Sequence, residues 1–262
     1  MPTPPSVRFG TMGWAYDDWK GPFYARDARN DRLLEQYAAV FDAVEIDATF
    51  YGAPRKSTLT GWAAQVPESF RFSAKVPRAI THERQLVDAA EATLDFARLM
   101  RQGLGERLAA LLLQLPPEFS ADSRERLDRF IATVTAARNG GDTVPWVVEF
   151  RHASWQETDV VAALEEHGVR VATTERLNLG GPLRYLRLLG IENSVARFDE
   201  KQLDRTDEVA AWAERLKTAD ADTQVFVRNF FEGHAPATLF ALRTHLGYAN
   251  RVPIGQQQMN LF

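Results

Sequence analysis

Carboxylates, cations and amides recur at one parity along several otherwise apolar segments of this sequence. In VEIDATFYG, residues 44–52, Val44, Ile46 and Ala48 mark one face of a β-strand, and Glu45, Asp47 and Thr49 mark the other. The same alternation puts Arg71, Ser73 and Lys75 together in RFSAKV, Gln114 in LLLQL, Glu149 and Arg151 in VVEFRH, and Arg187 in YLRLLG. In VFVRNFF the parity leaves Arg228 and Asn229 as alternatives. Charges on the inner face of a folded sheet are costly unless they pair or bind something. Two glutamates, Glu45 and Glu149, suggest acid and base work of the kind used in glycoside hydrolysis. The cations argue for a different substrate. Lys75, Arg151 and Arg187 would keep carboxylates ionised and recruit phosphate or carboxylate groups, which favours a small anionic or nucleotide-like ligand over a neutral sugar. The competing reading is an internal ion-pair network, with Glu45 on Lys75 and Glu149 on Arg151 or Arg187. Ionisable clusters in clefts mark sites more often than scaffolds, so the functional reading weighs more.

Three histidines follow strand-like segments: His82 in PRAITHE, His152 in FRHASW and His234 in EGHAP. With Glu45 or Glu149 they could ligate a divalent metal. No i, i+4 pair or other tight spacing supports this, and a capping or loop-bridging role for each weighs more, so no metal is assigned and the cofactor is left unknown. His152 adjoins Glu149 and Arg151 and is the best placed of the three for proton transfer. FEGHAPAT puts Gly233 before a helix start containing Pro236, where backbone N–H groups could hold a phosphate; a simple strand-to-helix turn explains it equally well. Trp14, Tyr16, Trp19, Phe50, Tyr51 and Trp155 fall in the predicted upper loops and could form stacking walls, although Trp19 and Phe23 have the look of packing residues. The residues expected to do chemistry are Glu45, Glu149, His152 and Lys75. Those expected to contact ligand are Tyr16, Asp47, Thr49, Tyr51, Arg78, His82, Gln114, Arg151, Trp155, Arg187, Asn229 and His234.

The elements that must position these residues alternate along the chain. Strand-like runs lie at 7–10, 43–48, 70–75, 108–115, 146–150, 169–174, 183–190 and 223–229. Helical spacing occupies the gaps. Leu33, Leu34, Tyr37, Ala38 and Phe41 share a stripe, as do Leu127, Phe130, Ile131 and Val134, with Asn139-Gly140 as a stop. Eight strands alternating with helices, and no linker rich in Gly, Ser or Pro, predict a single TIM (β/α)8-type barrel over residues 1–252. A doubly wound open sheet is the alternative. Active sites of such barrels sit at the C-terminal ends of the strands, where Glu45, Lys75, Gln114, Glu149, Arg151 and Arg187 would converge.

Composition narrows the partners. The chain has 262 residues, a formal net charge of −4 and no cysteine, so disulfides and thiolate metal sites are excluded. An acidic balance argues against extensive binding of duplex nucleic acid. Neither a secretory signal pattern nor a run of roughly 18 apolar residues is present, which predicts a cytoplasmic location without a membrane partner.

The blocks GTMGWAYDDWKGPFY, VEIDATFYGAP, FSAKVPRAITHERQL, LLLQLPPEF, VEFRHASW and NFFEGHAPAT, in that order, resemble the YecE-like family, the domain of unknown function number 72. The resemblance runs from about residue 9 to residue 247. It implies a TIM barrel and no particular reaction. Asp47 stands where relatives usually have Asn, Phe230 replaces the second Asn of a usual pair, and LRLLG lacks the His that some members place after the arginine. Residues 253–262 form a tail ending QMNLF. Gln258, Met259, Leu261 and Phe262 resemble the short peptide by which bacterial proteins dock on the DNA polymerase sliding clamp; a Gln hydrogen bond plus apolar plugs from an extended segment, freed by Pro253 and Gly255, is a sound physical basis for such a motif, and a tail that folds back to bury Phe262 on the barrel is the alternative.

Overall fold

The computed structural model describes residues 6–137 and 144–259. Among the described residues nine strands appear in chain order: β1 (Val7–Met12), β2 (Ala43–Ile46), β3 (Arg71–Lys75), β4 (Leu108–Gln114), β5 (Trp146–Glu149), β6 (Arg170–Val171), β7 (Thr173–Thr174), β8 (Tyr185–Leu188) and β9 (Thr223–Val227). The α-helices are α1 (Leu33–Ala38), α2 (Lys56–Ala64), α3 (Ala90–Leu104), α4 (Arg124–Ala136), α5 (Val160–Glu166), α6 (Thr206–Lys217), α7 (Ala235–His245) and α8 (Ile254–Met259). Parallel strands separated by helices make this an α/β fold of the TIM (β/α)8 type. Every apolar run read from the sequence contains a strand. The run at 169–174 splits into β6 and β7, and the Ala172 amide between them donates to the Val148 carbonyl at 2.9 Å.

The chain packs as two compact units, one of residues Met1–Glu45, Gln65–Phe70 and Pro182–Phe262, the other of Ile46–Ala64 and Arg71–Gly181. In the first, the strand order is β2-β1-β9-β8. Its core is aromatic: Phe23 stacks on Phe41 with centroids 5.6 Å apart, and Trp19 on Tyr37 at 6.5 Å. The Tyr37 hydroxyl accepts from the Thr11 amide at 2.7 Å and donates to the Ala43 carbonyl at 2.9 Å, tying β1 to β2. Burial pushes this phenol well above the ordinary tyrosine value. In the second unit the order is β6-β5-β4-β3. Leu127, Phe130, Ile131 and Val134 are the buried stripe of α4, as their spacing predicts. Helices α2 and α3 approach closely at Gly103, where a Cβ would lie 2.3 Å from that of Leu59.

Two expectations change. The segment 44–52 is not one strand: β2 ends at Ile46, Asp47 adopts helical φ −76° and ψ −28°, and Ala48–Phe50 form a 3-10 turn, so Asp47 and Thr49 leave the alternation that Glu45 obeys. The tail does not begin as an extended segment. It enters α8, whose Gly255 amide donates to the Phe23 carbonyl at 3.1 Å, and a Cβ there would meet the Gly21 carbonyl oxygen at 2.2 Å. Of Gln258 and Met259 the helical backbone alone is described. Leu261, Phe262 and the Asn139-Gly140 stop lie outside the described residues.

Candidate functional site

The predicted residues fall into two sets, one in each unit. In the second unit the C-terminal ends of β3, β4 and β5 carry a cationic group. Lys75, the last residue of β3, keeps 12% of its side chain exposed, sits 3.5 Å from Asp47 Oδ1, and holds its Nζ 4.6 Å from the Phe50 ring centroid. Beyond the strand, Val76 bonds back to the Leu112 carbonyl at 2.9 Å, and the chain then enters a π-helical turn, Ala79–Glu83, that carries His82. Phe50 meets the His82 ring edge-on at 4.8 Å, and Thr81 Oγ1 lies 2.9 Å from its Nδ1. Partial burial lowers the His82 pKa below the ordinary histidine value, and the positive charges of Arg151, Lys75 and Arg78 lower it further, with Glu118 opposing. Three cations from two strand ends therefore act on one imidazole. Arg78 stays half exposed beside Glu83 at 3.2 Å, and Arg151 is exposed just past β5.

Gln114 and Glu149 face each other as partners in the β4–β5 register, and Gln114 Nε2 donates to Glu149 Oε1 at 2.7 Å. Glu149 is buried, and the amide orients its carboxylate. His152 begins the turn after β5. Its Nδ1 accepts from the Ser154 amide at 3.2 Å and lies 2.8 Å from Ser154 Oγ, which itself accepts from the Ala121 amide at 2.9 Å. This is the capping role, and it leaves Nε2 as the nitrogen able to exchange a proton with a ligand.

In the first unit Glu45 and Arg187 form an ion pair with side chains 0% and 1% exposed. Arg187 Nη2 donates to Oε1 at 2.7 Å and Nε to Oε2 at 3.0 Å, and the Tyr185 hydroxyl donates to Oε2 at 2.7 Å. That bidentate geometry is the one carboxylate and guanidinium prefer. The competing ion-pair reading put Glu45 on Lys75; the pairing found is with Arg187, while Lys75 meets Asp47. Tyr185 was missed, although its place two residues before Arg187 gives it the same strand parity. Phe50 and Glu118 were also underrated; a ring or carboxylate in a loop carries no periodic signal.

Several expected ligand contacts have other work. Trp155 is fully buried, donates from Nε1 to the Phe119 carbonyl at 2.8 Å, stacks on Phe119 and packs at a tilt against Phe150, so it is core and not a wall. Thr49 is buried and spends its hydroxyl on the Ile46 and Lys75 carbonyls at 2.8 and 2.7 Å, stitching the ends of β2 and β3. Tyr16 donates to the Met12 carbonyl and packs on Trp19. Buried His234 pairs through Nδ1 with the Phe198 carbonyl at 2.8 Å, and burial lowers its pKa. Asn229 Oδ1 accepts from the Ala235 amide at 2.9 Å, and the Ala237 and Thr238 amides go to the His234 carbonyl. Nearby Glu232 accepts from Thr238 Oγ1 at 2.6 Å and pairs with Lys201 at 2.9 Å. The start of α7 thus spends its amides internally and carries its own carboxylate, which leaves no cradle for a phosphate. Tyr51, by contrast, is 81% exposed and touches Phe50 edge-on at 5.4 Å. Among the described residues no group of three His, Asp or Glu could hold a metal, and no helix is long and apolar enough to cross a membrane.

Comparison with known proteins agrees with the barrel fold. A solved DUF72 family protein from Thermotoga maritima superposes with a TM-score of 0.74 at 25% identity, covering 92% of this chain and 99% of that one. The UPF0759 protein YecE of Escherichia coli (strain K12) is 29% identical over 141 residues, covering 52% of this chain and 49% of that protein. UPF0759 protein YunF of Bacillus subtilis (strain 168) is 26% identical over 154 residues, covering 57% and 52%. The matched stretch therefore spans about half the length of these curated relatives. The family described as protein of unknown function DUF72 matches residues 8–260, and this chain belongs to it.

Proposed function

We propose that the strand ends of the second unit bind a small anionic ligand, held by Lys75, Arg78 and Arg151, and that Glu149 and His82 exchange protons with it. One observation supports the reading: Lys75, Arg78 and Arg151, from the ends of β3 and β5 where barrels keep their sites, all act on the half-buried His82 ring and add to the effect of burial in opposing its protonation. A phosphate or carboxylate there would gain charge-assisted hydrogen bonds. The neutral His82 could then take up a proton, and Glu149, oriented by Gln114, supplies the carboxylate expected of an acid–base pair. Glu45 has no part in this chemistry, because its carboxylate is committed to Arg187 and Tyr185.

Calorimetric titration with inorganic phosphate tests the reading. Lys75→Met and Arg151→Met should each weaken binding by about tenfold or more, as the loss of a charge-assisted contact of about 1.5–3 kcal/mol requires. Unchanged affinity in both variants, or no binding to the parent protein, would overturn it.

A second reading concerns the tail. We infer from QMNLF that Gln258, Met259, Leu261 and Phe262 serve as a docking peptide for the bacterial sliding clamp. Purified clamp should bind the full chain and not a chain lacking its last five residues; equal signal from both disposes of the idea.

A further inference from the structure

The exposure of Tyr51 is not accounted for by packing. A ring 81% open to solvent gains little from its single aromatic neighbour, and of the large apolar side chains in the described residues it is the most exposed. Its position is specific. The Tyr51 ring lies 5.4 Å from Phe50, and Phe50 in turn carries Lys75 Nζ 4.6 Å above its face and His82 4.8 Å away at its edge. Two short steps therefore lead from an open aromatic face to the cations that would hold an anion. The backbone keeps that geometry firm. Thr49, in the same 3-10 turn as Phe50, is tied through its hydroxyl to the carbonyls of Ile46 and Lys75, so the turn carrying the ring is fastened to the strand carrying the lysine.

An aromatic platform beside a cluster of cations is the pairing that recognises a base and a phosphate joined by one sugar. We propose that the anion bound at Lys75 is the phosphate of a nucleoside monophosphate, whose base stacks on Tyr51. This rests on the anion-binding reading above and adds the part of the ligand which that reading leaves open. Phe50, edge-on to Tyr51 and covered by the lysine, is the spacer that sets the distance. Tyr51 is a specificity residue: it touches the base and not the reacting atoms.

The test compares three probes on one protein by calorimetry: inorganic phosphate, ribose 5-phosphate and uridine 5′-monophosphate. Base–aromatic stacking is worth about 1–3 kcal/mol per base, so the nucleotide should bind about 5- to 100-fold tighter than the sugar phosphate. Tyr51→Ala should erase that advantage while leaving phosphate affinity and thermal stability as they were, and Tyr51→Phe should retain it. If the sugar phosphate and the nucleotide bind equally, or if Tyr51→Ala keeps the difference, the proposal is wrong while the anion site stands. If none of the three probes binds, the anion site falls and the proposal with it.

Discussion

Arg187→Met takes the guanidinium away from the Glu45 carboxylate, which has no exposed surface. Three donor contacts to the carboxylate vanish, and of the hydrogen bonds described above the Tyr185 hydroxyl's remains. Breaking a buried pair by removing one partner typically costs about 3–5 kcal/mol, because the remaining charge is uncompensated. The protein has one escape, which is to protonate the carboxyl. From an ordinary glutamate value of about 4.3, holding the proton at pH 7 costs about 3.7 kcal/mol, at 1.36 kcal/mol per pH unit. The penalty should therefore saturate near that figure at pH 7 and shrink to about 1 kcal/mol at pH 5. The sign follows from linkage. In the variant the folded state favours the protonated carboxyl, so stability relative to the parent is recovered as pH falls toward the unfolded-state value and lost as pH rises above it. For a protein of this size 1 kcal/mol corresponds to about 2–4 °C, so the melting temperature should drop by about 7–15 °C at pH 7. Differential scanning calorimetry of parent and variant at pH 7 and pH 5 reads this directly. The double variant Glu45→Gln/Arg187→Met, which removes both charges, should regain most of the loss. A loss below about 1 kcal/mol at pH 7, or one that does not change with pH, would refute the argument that this pair is a buried structural element.

Trp155→Ala should cost about 3–5 kcal/mol in urea unfolding, as for other buried aromatic truncations, while Trp155→Phe keeps phosphate affinity unchanged; a loss of binding in the Phe variant would restore Trp155 to the ligand site. His234 is held neutral by burial, and a histidine with a lowered folded pKa contributes stability above its unfolded value, near 6.5, that is lost as pH falls. Stability measured by denaturant should thus decline on acidification below about pH 6.5, and more gently in His234→Gln; identical slopes would assign the decline elsewhere.

The α/β class was legible because burial on a parallel sheet demands near-continuous apolar runs, and such runs alternate with helical spacing along the chain here. LAALLLQL and WVVEF became β4 and β5 with Gln114 opposite Glu149; parity anticipates their common face but not that register. Parity stopped working where the strand stopped. Asp47 and Thr49 lie beyond Ile46 in a 3-10 turn, and no alternation constrains a side chain there. Pairing was legible as a need and not as a choice: the sequence shows that buried charges must be matched, but Arg187 lies 142 positions from Glu45, and nothing local selects it over Lys75. Trp155 misled because an aromatic in a loop can close a core as readily as line a cleft; its indole N–H finding the Phe119 carbonyl decided the matter. Gly255, read from the sequence as a source of freedom for the tail, is required by a close approach to the backbone at Gly21.

The most direct measurement is an NMR titration of the His82 ring, in the parent protein and in Lys75→Met, with and without saturating inorganic phosphate. His82 should titrate below the ordinary histidine value in the unliganded parent, since burial and then Arg151, Lys75 and Arg78 oppose its protonation. Phosphate should raise its pKa by offsetting those cations, and phosphate should in turn bind more tightly as pH falls through that value, because the two equilibria are linked. Lys75→Met should raise the pKa even without phosphate. A His82 that titrates at its ordinary value, or that ignores both phosphate and the loss of Lys75, would contradict the anion site.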